Sequence, residues 1–197
     1  MAELKLPVDE AAIRDLKVGD FVELTGRMIT GRDAAHKWLL EEHREDVAPY
    51  MKDTVIYHCG PVVDRDDAGN WSFVAAGPTT SIREEPYQAD VIASYGLRGV
   101  IGKGGMGPKT LAGLSASGAV YLHAIGGAAQ VLARAIPRVE KVFMLEEFGV
   151  PEALWVIQVE RFPVVVSMDS HGGSLHDQVE AASGKRLQEL LNLSGAH

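Results

Sequence analysis

The chain has 197 residues, 46% hydrophobic and 23% charged, which fits one globular domain with a sizeable core and no required metal or disulfide staple. Its net charge of −8 disfavours a nucleic-acid backbone as partner, and no run of about 18 apolar residues offers a transmembrane helix. Cys59 is the one cysteine, so no intrachain disulfide can form and any thiolate cluster, which takes about three or four cysteines, needs another chain.

Residues 1–9 lack the basic and apolar regions of a signal peptide, and a cytoplasmic location is expected. Residues 4–9 read as extended and 10–16 as a short helix. After a turn at Val18-Gly19-Asp20, residues 21–25 alternate as a strand and 26–31 bend the chain. A helix over 33–45 places Ala35, Trp38, Leu39 and Leu40 on one apolar stripe. Residues 55–58 form a buried strand, and runs 62–63 and 71–76 pair as a hairpin with Trp71 and Phe73 on one face. Asp64, Asp66 and Asp67 in its turn read as a solvated loop rather than a metal site. Residues 87–95 are helical with Ala89, Ile92 and Ala93 inward; 100–101 are a short buried strand. Pro108 opens a helix that continues over 109–114. A strand over 119–124 and a helix from 126 to 134 follow, then strands over 139–148, 155–160 and 164–168. Asp169-Ser170-His171-Gly172-Gly173 forms a polar turn, and Ser174 caps a last helix over 175–191. Strands and helices alternate throughout, which predicts an α/β fold, a mixed central β-structure flanked by helices, as a single domain over 1–197.

The chemistry gathers in two loops within residues 77–109. Gly77-Pro78-Thr79-Thr80-Ser81-Ile82-Arg83 supplies hydroxyls and a guanidinium fork. Gly102-Lys103-Gly104-Gly105-Met106-Gly107 supplies a cation among glycines whose N–H groups can turn toward an anion, just before a helix. Together they predict an anion site. Arg32, at the start of a helix, joins them; taken alone, pairing with Asp33 or Glu23 is its simpler account. Three cations at strand ends suit a dicarboxylate, which relieves their repulsion. Thr79 lies four residues before Arg83, and nearby cations lower the pKa of a hydroxyl. A P-loop is absent, and Gly102-x-Gly104-x-x-Gly107 lacks the acidic residue that a dinucleotide site needs some 20 positions on. His36, one turn after Arg32, is placed to orient it; His58 and His123 close apolar strands and read as structural. Asp169 and His171 read as supporting or subunit-contact residues, and Cys59 as a buried small residue.

These motifs, with Gly31-Arg32-Asp33-x-x-His36, Tyr57-His58-Cys59-Gly60-Pro61, a run from Glu146 to Trp155 and Asp169-x-His171-Gly172, resemble the β subunit, or carboxy-terminal domain, of class I iron–sulfur hydro-lyases, the oxygen-sensitive fumarases and L-tartrate dehydratases. The resemblance spans nearly the whole chain. It implies a swivelling β/β/α fold and a partner α subunit that holds a [4Fe–4S] cluster on three cysteines, with one iron open to substrate as Lewis acid. It implies an assembly of two α and two β chains. It also implies that Arg32, Thr79, Arg83 and Lys103 bind substrate, that Thr79 is the catalytic base, and that Arg32, Arg83 and Lys103 stabilise the carbanionic intermediate. The implied reaction is hydration of fumarate to (S)-malate. Tartrate dehydration to oxaloacetate uses the same parts, and a stand-alone small-anion binder is the non-catalytic alternative.

Overall fold

Short β-branched runs ended by glycine, proline or a polar cluster become strands, and amphipathic segments between them become helices. A computed structural model describes residues 2–42 and 44–194. The chain begins with β1 (Ala2–Leu6), α1 (Glu10–Arg14), β2 (Phe21–Thr30), α2 (Asp33–Glu42), α3 (Ala48–Met51) and β3 (Val55–Tyr57). A hairpin of β4 (Val62–Arg65) and β5 (Trp71–Ala75) leads to a 3₁₀ turn (Ser81–Glu84), α4 (Gln88–Tyr95), β6 (Gly99–Gly102) and α5 (Pro108–Ser117). Then come β7 (Val120–His123), α6 (Ala129–Arg134), β8 (Arg138–Phe143), α7 (Leu145–Phe148), β9 (Leu154–Met168) and α8 (Leu175–Ser194).

Strands β2, β3, β6 and β7 lie parallel, side by side. β9 pairs antiparallel with β7 and also with β2, which closes these strands into a barrel-like ring. β1 extends the sheet beside β2, and β8 beside β9. The α/β expectation of a mixed central sheet with flanking helices is met. Successive residues of the parallel strands feed two cores, as a period of two requires. Val55, Tyr57, Ile101, Val120 and Leu122 join one with Trp155 and Phe162. Ile56, Val100 and Tyr121 join the other under α2, α4 and α5. Trp71 and Phe73 do share a face, and both meet Trp155 edge-on at 5.3 and 5.9 Å between ring centroids. Among the described residues no helix is long and apolar enough to cross a membrane.

Several local expectations are corrected. The chain does not bend away over 26–31: β2 runs on to Thr30, with a register shift at Gly26. Gly26 has φ +127°, and a Cβ there would lie 2.2 Å from the Leu6 carbonyl oxygen, so a bulge with no side chain lets β1 stay close. The runs at 155–160 and 164–168 are one strand. Arg161, at φ 50°, keeps the ladder by donating its N–H to Thr25 Oγ1 and pairing its guanidinium with Glu23. Of the helix expected over 33–45, α2 stops at Glu42; residue 43 lies outside the described residues, and the Tyr95 hydroxyl takes the Arg44 N–H and donates to the Leu39 carbonyl. β8 ends at Phe143, and Met144 in the left-handed region turns the rest of that run into α7. In α4 the inward residues are Gln88, Val91, Ile92 and Tyr95, not Ala89 and Ala93. Most important for function, β2, β3, β6 and β7 all end on one rim, and the loops that leave it carry Arg32, Cys59, Lys103 and Gly126.

Candidate active site

Thr79 is held by backbone on both sides. Its N–H donates 2.7 Å to the His58 carbonyl, while its own carbonyl accepts from Lys103 N–H at 3.2 Å. Ser81 N–H then donates 3.0 Å to the Lys103 carbonyl. The segment from Pro78 to Thr80 is thus a strand-like strip laid between the ends of β3 and β6, with bridges Cys59–Pro78 and Thr80–Lys103. This brings Thr79 and Lys103 together on the rim. The Thr79 side chain is half-buried and makes no hydrogen bond among the described residues, and Lys103 has no ion pair among them.

The other two cations are already partnered. Arg32 lies against Gly60, where a Cβ would come within 2.7 Å of its Nη1, and it pairs with Glu152 at 3.3 Å. Its partner is therefore neither Asp33 nor Glu23. Its Nε is buried without a partner. Arg83 is half-exposed on the 3₁₀ turn and pairs with Asp33 through Nη2. Burial pushes the Asp33 carboxyl up, but its contact with Glu84 and its pairing with Arg83 outweigh it and hold it below the usual range. A carboxylate ligand must share these two guanidinium groups with acids the chain itself provides; Lys103 is the cation free of such competition.

Part of the expected anion site is filled from within. The Glu85 carboxylate accepts from the N–H groups of Gly107, Lys109 and Thr110 at 2.8, 3.0 and 3.2 Å, and from Thr110 Oγ1 at 2.6 Å. It occupies the start of α5, the place a phosphate would take. Gly107 is needed because a Cβ would sit 2.6 Å from Glu85 Oε1; only Gly104 and Gly105 of the loop use positive φ. Ser81 is not offered to a ligand either. Its buried Oγ lies 2.8 Å from His58 Nδ1 and accepts from the Tyr121 hydroxyl at 2.9 Å.

Beneath the rim lies a polar network that sequence reasoning left out, apart from His36 and His58. His36 donates from Nδ1 to the Arg32 carbonyl at 2.8 Å, so it holds the Arg32 backbone. The Gln88 amide oxygen lies 2.9 Å from His36 Nε2 and 2.7 Å from His58 Nε2; exchanging it with the unpartnered amide nitrogen gives each ring one N–H. Burial lowers the pKa of both imidazoles, most strongly for His58, which also feels His36, so both are neutral. Glu84 is fully buried behind them, and burial followed by its contact with Asp33 pushes its carboxyl up to about 8. The signal for this network was the pair His36 and Gln88, each on the buried face of its helix.

Asp169 and His171 lie elsewhere. Met168 is paired with Tyr121, so the turn that follows sits toward the start of β7, away from the rim. The Asp169 carboxylate accepts N–H bonds from Val18, His171 and Gly173, and His171 Nε2 donates 2.7 Å to the Arg14 carbonyl. Neither bonds to Arg32, Thr79, Arg83 or Lys103. Cys59 is buried, and burial pushes its thiol up to about 12 despite the nearby Arg32 charge. Arg32, Thr79, Arg83 and Lys103 do not line the surface clefts of 430 to 720 Å³, although the cleft of 710 Å³ beside α8 reaches Gly104, next to Lys103.

The model of the family described as Fumarase C-terminus matches residues 2–179. A putative fumarate hydratase class I of Geobacillus stearothermophilus is 53% identical over 95% of this chain, which spans only 36% of that relative. A putative L(+)-tartrate dehydratase subunit beta of Methanocaldococcus jannaschii is 38% identical over 92% of the chain and 94% of its own length. The L(+)-tartrate dehydratase subunit beta of Escherichia coli is 38% identical over 87% of the chain and 85% of its own length. With a family model covering most of its length and such relatives, the chain belongs to the Fumarase C-terminus family.

Proposed function

We propose that this chain is the β subunit of a two-subunit iron–sulfur hydro-lyase that hydrates fumarate reversibly to (S)-malate. The observation that carries this reading is the strip that sets Thr79 beside Lys103, where among the described residues the hydroxyl makes no hydrogen bond and the cation meets no carboxylate. Lys103 binds one substrate carboxylate as a compact charge, and Arg83 and Arg32 offer forks to the other. In the dehydration direction Thr79, ionised to the alkoxide that the neighbouring cations favour, takes the proton from C3 of malate as hydroxide leaves C2. Cations around the carboxylates stabilise the charge that develops there. Cys59 does not fit a cluster ligand, being buried with its thiol held protonated, so a [4Fe–4S] cluster and its Lewis acidity belong to a partner α subunit. An assembly of two α and two β chains and a cytoplasmic site of action complete the reading.

The second reading is an L-tartrate dehydratase β subunit, favoured by the two relatives of that name that match along most of their own length. Anaerobic co-production with the α partner, followed by assay on fumarate, (S)-malate and both tartrate enantiomers, separates them. Thr79→Ala is expected to assemble normally and to lose about 100-fold or more in kcat. Lys103→Ala is expected to raise KM as well as lower kcat. Full turnover by the Thr79→Ala enzyme overturns the base assignment.

A further inference from the structure

Three carboxyl oxygens behind Arg83 have no donor: Asp33 Oδ1 and both oxygens of Glu84 are buried and unpartnered. Glu84 is fully buried and lies in hydrogen-bonding reach of Asp33, whose other oxygen, Oδ2, holds Arg83 Nη2. A buried carboxylate and the part-buried Asp33 repel when they lie this close, and among the described residues no cation reaches Glu84 on its far side. His58 Nδ1 is 3.9 Å from Glu84 Oε2, too far for a hydrogen bond, and its ring is neutral. The groups facing the pair are Asp33, His36 and the Arg32 charge from the start of α2, His58 from the end of β3, Tyr121 from β7, and Arg83 on the turn itself. His36 and His58 stay neutral, and burial raises the Tyr121 pKa, so neither ring nor phenol supplies a charge in the neutral range. One proton placed between Glu84 and Asp33 Oδ1 removes the repulsion and gives two of the three oxygens a partner.

We propose that Glu84 is a positioning residue: a carboxylic acid that shares its proton with Asp33 and so fixes the carboxylate that aims the Arg83 guanidinium at the rim. The proposal rests on Arg83 serving as a substrate clamp, as argued above. With the proton in place, Asp33 carries one charge and holds one edge of the Arg83 fork, leaving the rest for a ligand carboxylate. When Glu84 ionises, Arg83 faces two internal carboxylates, and a substrate must compete with both. Glutamine in place of Glu84 donates an amide N–H to Asp33 Oδ1 and never ionises.

Three measurements test this. The infrared spectrum of the full chain should show a protonated-carboxyl band at pH 7 that fades with a midpoint near 8 and is missing in Glu84→Gln. The guanidinium NMR signal of Arg83, identified by its loss in Arg83→Lys, should shift over the same range in the natural chain and stay in place in Glu84→Gln. In the reconstituted enzyme, KM for malate should rise about fivefold or more from pH 7 to about 9.5, with kcat changing less; Glu84→Gln should keep that rise below about twofold. Absence of the band, or an Arg83 signal and KM that respond to pH alike in both proteins, overturns the proposal. If band and signal behave as expected but no reconstituted pair turns over a dicarboxylate, the acid pair stands and the hydro-lyase reading fails.

Discussion

Gly102 shows how a missing side chain holds the candidate site together. A Cβ there would lie 1.8 Å from Ser81 Oγ and 3.1 Å from the Tyr121 hydroxyl. Ser81 could escape only by leaving His58 and Tyr121, whose bonds it completes. Gly102→Ala is therefore expected to lose about 1–3 kcal/mol of stability in urea unfolding. Adding Ser81→Ala removes the clash and should recover part of that loss, a non-additivity that a double-mutant cycle reads directly. Glu84 makes a second prediction, with a definite sign. Its carboxyl is raised from 4.5 to about 8, so between those values the folded chain keeps a proton that the unfolded chain releases. Its contribution to stability is full below about 4.5, falls as pH rises, and is lost above about 8. His36 and His58 act in the other direction: their lowered pKa values mean stability is lost as pH falls below 6.5. Thermal melts of Glu84→Gln should show a smaller fall in Tm between pH 6.5 and 9 than the natural chain.

At the scale of elements, legibility tracked local pattern. Helix starts with Pro108, the Trp71/Phe73 hairpin face and the short apolar strands are written in neighbouring residues, and they were read correctly. The continuity of β2 and β9 was not, because Gly26, Arg161 and Pro163 look like breakers. They are tolerated because β1 crowds Gly26, while Glu23 and Thr25 across the ladder hold Arg161. The α4 stripe was misread because alanines fit either face, whereas packing under α2 and α5 selects Val91 and Tyr95. In the site, the motifs located Thr79 and Lys103 on one rim, but no local pattern reveals that Arg32 meets Glu152, some 120 positions away, or that Glu85 fills the start of α5. The last point is testable. Glu85→Ala strips three N–H groups of their acceptor and is expected to destabilise the chain by about 1–2 kcal/mol, read by urea unfolding, with partial rescue by Glu85→Gln.

At the scale of the whole molecule, the closed ring and its two cores stand apart from the long last helix. From Asp177 to Asn192 every described residue of α8 is exposed, Val179, Leu187, Leu190 and Leu191 included. The family match also stops at residue 179. A chain shortened to end after Ala182 should therefore unfold within about 1 kcal/mol of the full chain, as surface changes away from core features do. A larger drop in the urea midpoint would show that the helix is integral to the ring. His176, which packs on Gly105 beside the Lys103 loop, is kept in that shortened chain.

The strip between β3 and β6 has one more consequence. Because Lys103 both gives a backbone bond to Thr79 and takes one from Ser81, the backbone positions that carry the ammonium and the hydroxyl move as one part. Point replacement elsewhere in the chain cannot widen the spacing of those two positions without unzipping the strip. Arg83 stands outside the strip, on the turn that follows it, so its side chain can be replaced without disturbing Thr79 and Lys103.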